Sequence, residues 1–240
     1  MIDAIILAGD EKGLNKFNNK TMIEYIIDVF LKIDTIDKIV VVGAKDKYDF
    51  IKDKVYKLEN SESTMLENIK KGLNSIELDK PFIISSSDIP FITTEAVCEL
   101  IEKSINFNAE FAYPLINKNL ILNKFPEMKR SYFKLKEGVF TGGNICFATA
   151  SSIEKGLPYL EQLYKYRKNK LMITKIFSTS FIIGILLGIL PLKKIEEKFY
   201  RVTNIKAYGI ITEYAEIGCD IDKPQDIEVA NKYFNTNIGS

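Results

Sequence analysis

An α/β fold, with a Rossmann-like, mostly parallel twisted sheet and helices on both faces, is predicted by three features of the sequence. Short apolar runs suited to doubly buried strands alternate with segments of helical spacing. The strand–helix pair recurs three times before residue 105. Helix-start signatures also stand where the alternation calls for a loop to end.

The elements follow in order. Ile2 to Leu7 is a continuous apolar run and reads as a buried strand. Thr21 to Ile33 carries Met22, Ile23, Ile26, Ile27 and Phe30 at helical spacing, opened by the capping box Thr21-Met22-Ile23-Glu24. Lys38 to Gly43 reads as a second buried strand, followed by a helix around Asp46–Lys57. A second capping box, Thr64-Met65-Leu66-Glu67, opens a helix to about Leu73. Pro81 to Ser86 is the third strand, and Thr93 or Thr94 caps a helix to about Ser104. Ala109–Ile116 and Gly143–Thr149 read as strands, with a polar, basic stretch from Asn117 to Gly138 as a hairpin or active-site loop. Helices are expected over Leu157–Lys170, Met172–Leu190 and Leu192–Phe199, forming a helical subregion at about 151–200. Ala207–Ile211 and Ile217–Ile221 read as late strands, and Pro224 to Phe234 as the last helix. With no repeat and no linker, residues 1–240 read as one domain.

Composition excludes several functions. Hydrophobic residues make up 46% of 240, enough for a core. Thirty-three basic residues against 32 acidic ones leave +1, so global charge gives no pull towards nucleic acid. The absence of histidine removes His-based triads, His-ligated zinc and the usual neutral general base. Cys98, Cys146 and Cys219 are far apart and include no CxxC, which argues against disulfides or thiolate zinc and for a reducing, cytoplasmic setting. The apolar N-terminus lacks a basic flank and reads as a strand, not a signal peptide. The run Phe181–Leu190 stops at Pro191 and Lys193-Lys194, short of the roughly 20 residues a membrane span needs. The 177–190 segment is read instead as a buried helix or a homodimer interface.

Four stretches carry chemical potential. Leu7-Ala8-Gly9-Asp10-Glu11-Lys12-Gly13 leads to Lys16 and Lys20 at the carboxyl end of the first strand, where α/β proteins bind ligands. Its glycines allow backbone approach to phosphate and its lysines suit a triphosphate, although a plain surface loop reads the same way. Ser87-Asp88-Ile89-Pro90 puts a hard oxygen ligand for Mg²⁺ at another strand tip; the alternative is a turn aspartate. Asp220 and Asp222 share a strand face in Gly218-Cys219-Asp220-Ile221-Asp222, with helix capping the competing role for Asp222. Gly142-Gly143-Asn144 permits close approach of a flat or sugar-like ligand, or simply starts a hairpin strand.

Taken in order, these motifs resemble the MobA-like NTP-transferase family from residue 3 to about 232: Ala4–Gly9 with Lys16, Asn19–Tyr25, Thr64–Asn68, Ser87–Phe91, Thr141–Asn144 and Asp220–Asp226. The resemblance implies the nucleotide-diphospho-sugar transferase (GT-A-like) fold. It also implies an Mg²⁺-dependent reaction in which an NTP and a phosphorylated small molecule give a nucleotide-linked product and pyrophosphate. It assigns the triphosphate to Gly9 and Lys16 and puts the segment around Ser63 and Thr64 near the base; Leu7, Ala8, Lys20 and Ser87 are further candidates for nucleotide binding. Asp88 with Asp220 or Asp222 falls on the metal positions, Lys16 and Asp88 on the catalytic ones, and Gly142, Gly143 and Asn144 on the acceptor. The sequence departs from the family at Asp10, where a second glycine is usual, and in a short first loop without arginine. A carboxylate at position 10 repels a triphosphate unless a metal lies between them. Three other readings share the fold: a degenerate nucleotide- or partner-binding protein, a GT-A glycosyltransferase, and a molybdenum-cofactor nucleotidylating enzyme. The late position of Asp220-Ile221-Asp222 weighs against the glycosyltransferase.

Overall fold

The alternation resolves into a mixed nine-stranded sheet in a computed structural model that describes residues 1–62, 64–166 and 184–236. β1 (Ile2–Ala8) ends in a loop with a 3-10 turn at Lys12–Leu14. A small hairpin of β2 (Lys16–Phe17) and β3 (Lys20–Thr21) leads into α1 (Met22–Phe30). The Thr21 capping box forms as predicted, with Thr21 N–H donating to Glu24 Oε2 at 3.0 Å. β4 (Ile36–Gly43) pairs parallel with β1. A four-residue α2 (Lys45–Tyr48), a 3-10 stretch Asp49–Lys54 and β5 (Lys57–Asn60) follow. α3 (Met65–Leu73) and β6 (Phe82–Ser86) complete a parallel half-sheet in the order β5-β4-β1-β6.

Strand alternation buries both faces of this half-sheet. Ala4, Ile6, Val41 and Ile83 pack with Ile23, Ile27 and Phe30 of α1 and with Val97 and Leu100 of α4 (Thr94–Asn106). Ile5, Val40, Val42 and Ile84 on the other face meet Ile69 and Leu73 of α3. At about 25 cal/mol per Å² of apolar area removed from water, these layers supply the main driving force for the fold.

The second half is mixed. β7 (Phe111–Asn117) leads to α5 (Lys118–Lys124), then β8 (Phe133–Leu135), β9 (Gly138–Gly142) and β10 (Ile145–Ala148). β10 is antiparallel to both β6 and β7, and β9 is antiparallel to β7 and β8. Three steps along β7, from Ala112 to Leu115, are matched by five from Phe147 back to Gly142. The extra backbone at Gly143-Asn144 is a bulge, a device that re-aims side chains at a sheet edge. α6 (Ala150–Tyr166) and α7 (Leu192–Thr203) precede β11 (Ala207–Thr212), which runs parallel along the remaining edge of β7. After a 3-10 turn at Ala215–Gly218, α8 (Pro224–Thr236) closes the described chain.

Several sequence-based expectations are corrected. The helix expected over Asp46–Lys57 breaks at Asp49, and its last residue begins edge strand β5; the alternation of Leu58 and Glu59 was too short to stand out. The Asn117–Gly138 stretch is a helix as well as a hairpin. Ile217–Ile221 is not a strand: Gly218 ends a 3-10 turn, and Ile221 N–H donates to Asp88 O at 2.9 Å instead of joining a ladder. α6 starts at Ala150, seven residues before the expected Leu157, and contains Pro158. Ser63, most of the expected Met172–Leu190 helix and the end of the Leu157–Lys170 helix lie outside the described residues. In the described part of the 177–190 segment, Leu186, Leu187 and Ile189 are exposed, not buried. Among the described residues, no helix is long and apolar enough to cross a membrane.

Candidate active site

Parallel pairing brings the carboxyl ends of β1, β4 and β6 level, with Leu7 opposite Val42 and Ser86, and Ala8 opposite Gly43. The loops after β1 and β6 therefore emerge side by side. Gly13 is buried against the second of them: a Cβ there would lie 2.9 Å from Ser87 Cβ and 3.1 Å from Tyr48 Oη. Gly9 gives room to Asn68, whose Nδ2 would lie 2.8 Å from an added Cβ. Both glycines thus make space for protein side chains, while the left-handed backbone of the loop falls on Glu11 (φ 62°).

Three carboxylates from distant stretches converge here. Asp88, Asp220 and Asp222 each offer an oxygen within 4.8 Å of the other two. The Asp88 side chain is 10% exposed and its buried Oδ1 has no hydrogen-bond partner. An unsatisfied buried carboxylate oxygen is costly, so these hard donors fit a divalent ion such as Mg²⁺. Lys12 stands at the same place: its Nζ is 3.3 Å from Asp88 Oδ2, 3.2 Å from Asp10 Oδ2, and bonded to Asp222 Oδ1.

Asp220 and Asp222 have opposite electrostatic settings. Burial, then the neighbouring Asp222, pushes Asp220 up to about 6, against the pull of Arg130. The Lys12 hydrogen bond holds Asp222 below the ordinary carboxylate range. Burial alone would lower the Lys12 ammonium, but Asp222, Asp10 and Asp88 outweigh it and hold that group above its ordinary value. Asn144 Nδ2 donates to Asp220 Oδ1 at 3.3 Å, and the Asn144 backbone ties the 3-10 turn to β6, its N–H donating to Ile217 O at 2.8 Å and its carbonyl accepting from Ser86 N–H at 2.9 Å. The bulge therefore aims Asn144 at the carboxylates.

Arg130 and Asp226 were not singled out from sequence. The Arg130 side chain is 7% exposed; Nη1 lies 3.6 Å from Asp220 Oδ1 and 3.8 Å from Asp226 Oδ2, and Nη2 donates to Asp220 O. Asp226 Oδ2 accepts from the backbone N–H of Asp222 (3.2 Å) and Lys223 (3.0 Å). The capping role considered for Asp222 thus belongs to Asp226, which leaves the Asp222 carboxylate for Lys12. An acidic residue three past the helix boundary was the available signal, obscured by the competing Asp222–Gln225 spacing.

The remaining predicted residues divide. Gly142, Gly143 and Asn144 line a pocket of about 340 Å³ with Tyr113, Arg130 and Lys223, next to Asp220 and Asp222. Lys16 is exposed on β2. Lys20 turns away, paired with Asp28 and stacked 4.6 Å over the Tyr25 ring. Thr64 is engaged as the cap of α3, its hydroxyl accepting from Glu67 N–H at 3.2 Å. Ser87 is buried beneath Gly13 with its hydroxyl unpartnered. Burial pushes the Cys146 and Cys219 thiols up to about 12, so neither is a nucleophile at neutral pH.

A half-parallel sheet with a loop and acidic cluster at the strand tips defines the class: a nucleotide-diphospho-sugar transferase fold with a candidate metal centre. The model of the MobA-like NTP transferase domain matches residues 4–169, and the chain belongs to that family. A hypothetical transferase structure from Thermus thermophilus is similar at 27% identity and a TM-score of 0.84, covering 94% of this chain and 99% of that one. The 4-diphosphocytidyl-2C-methyl-D-erythritol synthase of Anaerococcus prevotii DSM 20548 shares the fold at 16% identity and a TM-score of 0.63, covering 98% of each chain. A CMP:2-keto-3-deoxy-manno-octonic acid synthetase complexed with CTP does so at 12% identity and a TM-score of 0.62, covering 99% of each chain. No curated protein matches the chain.

Proposed function

We propose that the chain is a cytoplasmic nucleotidyltransferase that joins a nucleoside monophosphate unit from an NTP to a phosphorylated small molecule. An acceptor phosphate oxygen bonds to the α-phosphorus, the bond to the β-phosphate oxygen breaks, and pyrophosphate leaves. A phosphate monoester is already anionic at neutral pH, so a histidine-free site needs no general base. Catalysis then rests on placement and charge.

The observation that carries this reading is the meeting of Asp88, Asp220 and Asp222 beside the loop after β1, with a buried Asp88 oxygen left unpartnered. These residues would hold Mg²⁺, which when bound supplies positive charge to the triphosphate. Leu7, Ala8 and Gly9 bring the loop backbone to the phosphates. Lys16, exposed and beside that loop, offsets charge on the leaving pyrophosphate. The segment around Thr64 is assigned to the base side, a reading supported by the packing of Gly9 against Ser61 and Asn68. The pocket lined by Tyr113, Gly142, Gly143, Asn144 and Lys223 receives the acceptor.

The test is pyrophosphate release from each of the four NTPs with a panel of phosphorylated acceptors. Asp88→Asn is expected to lower turnover roughly 100-fold or more, as losing one electrostatic contact to a transition state does. Unchanged turnover in that variant refutes the metal role. Lys12, seated among the carboxylates, favours a second reading as a nucleotide-binding protein without turnover. Saturable NTP binding with no pyrophosphate from any pairing would establish it.

A further inference from the structure

Lys12 stands where a cation belongs. Its ammonium touches carboxylates of Asp10, Asp88 and Asp222, which come from the loop after β1, the tip of β6 and the approach to α8. Two of the three are members of the cluster that fits a divalent ion. The ammonium uses Asp88 Oδ2, while Oδ1 stays buried and unpartnered. An ammonium and a divalent ion on the same oxygens repel each other strongly at such distances. Lys12 also lies in the loop that follows β1, within reach of any polyanion lodged there, and its side chain is 36% exposed to solvent.

We propose that Lys12 is a built-in counter-cation that holds the acidic cluster together before ligands arrive, and that an incoming triphosphate draws it off so that the divalent ion can enter. Binding of ion and nucleotide is thereby coupled: each favours the other because both require the same lysine to leave. The assignment rests on the nucleotidyltransferase reading for its second ligand. It goes beyond it in giving Lys12 an exchange role instead of a fixed contact.

Calorimetric titration of Mn²⁺ into the full chain without nucleotide tests the exchange. Lys12→Met is expected to bind Mn²⁺ at least ~10-fold more tightly than wild type, because a like charge is removed from the site. Lys12→Arg, which keeps the charge, is expected to stay as weak as wild type. Lys12→Gln gives a second neutral variant should the Met variant fail to fold. Repeating the titration with the α,β-methylene analogue of each NTP should narrow the gap between wild type and the neutral variants. Neutral variants that bind Mn²⁺ no tighter than wild type, while wild type still binds nucleotide with Mn²⁺, overturn the exchange and leave the nucleotidyltransferase reading standing. No Mn²⁺ bound by any variant, with or without nucleotide, overturns both.

Discussion

Asp226 touches no proposed ligand, yet the geometry makes both stability and metal affinity depend on it. It is 2% exposed, and its Oδ2 accepts two backbone N–H groups at the start of α8 while facing Arg130 at 3.8 Å. Removing the acceptor should cost about 1 kcal/mol, the usual value of a helix cap. Breaking a fully buried ion pair costs ~3–5 kcal/mol. Here Arg130 keeps Asp220 at 3.6 Å and the lost contact is loose, so the ionic part is closer to the low end of the ~1.5–3 kcal/mol of a hydrogen bond to a charged group. Asp226→Ala should therefore destabilise the chain by roughly 2–3 kcal/mol, and Asp226→Asn, which keeps an acceptor oxygen, by about 1 kcal/mol less. Urea unfolding reads this as a shift in midpoint at constant slope. Because Asp222 loses its backbone anchor, Asp226→Ala should also weaken Mn²⁺ binding. Equal midpoints for the Ala and Asn variants refute the capping part. An Asn variant as stable as wild type refutes the ionic part.

Further outcomes are expected at Asp220 and Phe234. Asp220, raised to about 6 by burial, contributes stability below its ordinary carboxylate range that is lost as pH rises through 6. Asp220→Asn should thus gain stability relative to wild type between about pH 4 and 7 in thermal melts, and wild-type Mn²⁺ affinity should fall as pH drops below 6. Phe234, stacked on Phe17 (5.6 Å), Tyr25 (4.4 Å) and Phe91 (5.5 Å), clamps the hairpin that carries Lys16. Phe234→Ala should cost about 2–3 kcal/mol in urea unfolding, less than a fully buried Phe, and raise KM for NTP more than it lowers kcat.

What could be read in advance follows from range along the chain. Capping boxes at Thr21 and Thr64 involve neighbours three residues apart, and both form as written. The runs Ile2–Leu7 and Lys38–Gly43 declare buried strands because both faces are apolar. Edge strand β5, with Lys57 and Asn60 exposed, has no such pattern. The meeting of Asp88 with Asp220 and Asp222 was expected from motif order, but the seat of Lys12 was not, because nothing local distinguishes it from Lys16 or Lys20. Lys20 finds Asp28 only through the turn of α1. Arg130 sits in a basic stretch that looks like loop, and only folding shows it enclosed between two aspartates.

The acidic cluster joins Asp88 to Asp220 and Asp222, and the last two lie beyond residue 169, where the family match ends. During synthesis the early strands emerge first, so the loop after β1 can take shape long before Asp220 and Asp222 exist. A ribosome-bound nascent chain stalled after β10 should therefore be partly folded but unable to retain a divalent ion. Competence would arrive abruptly, only when the final stretch has cleared the exit tunnel and docked.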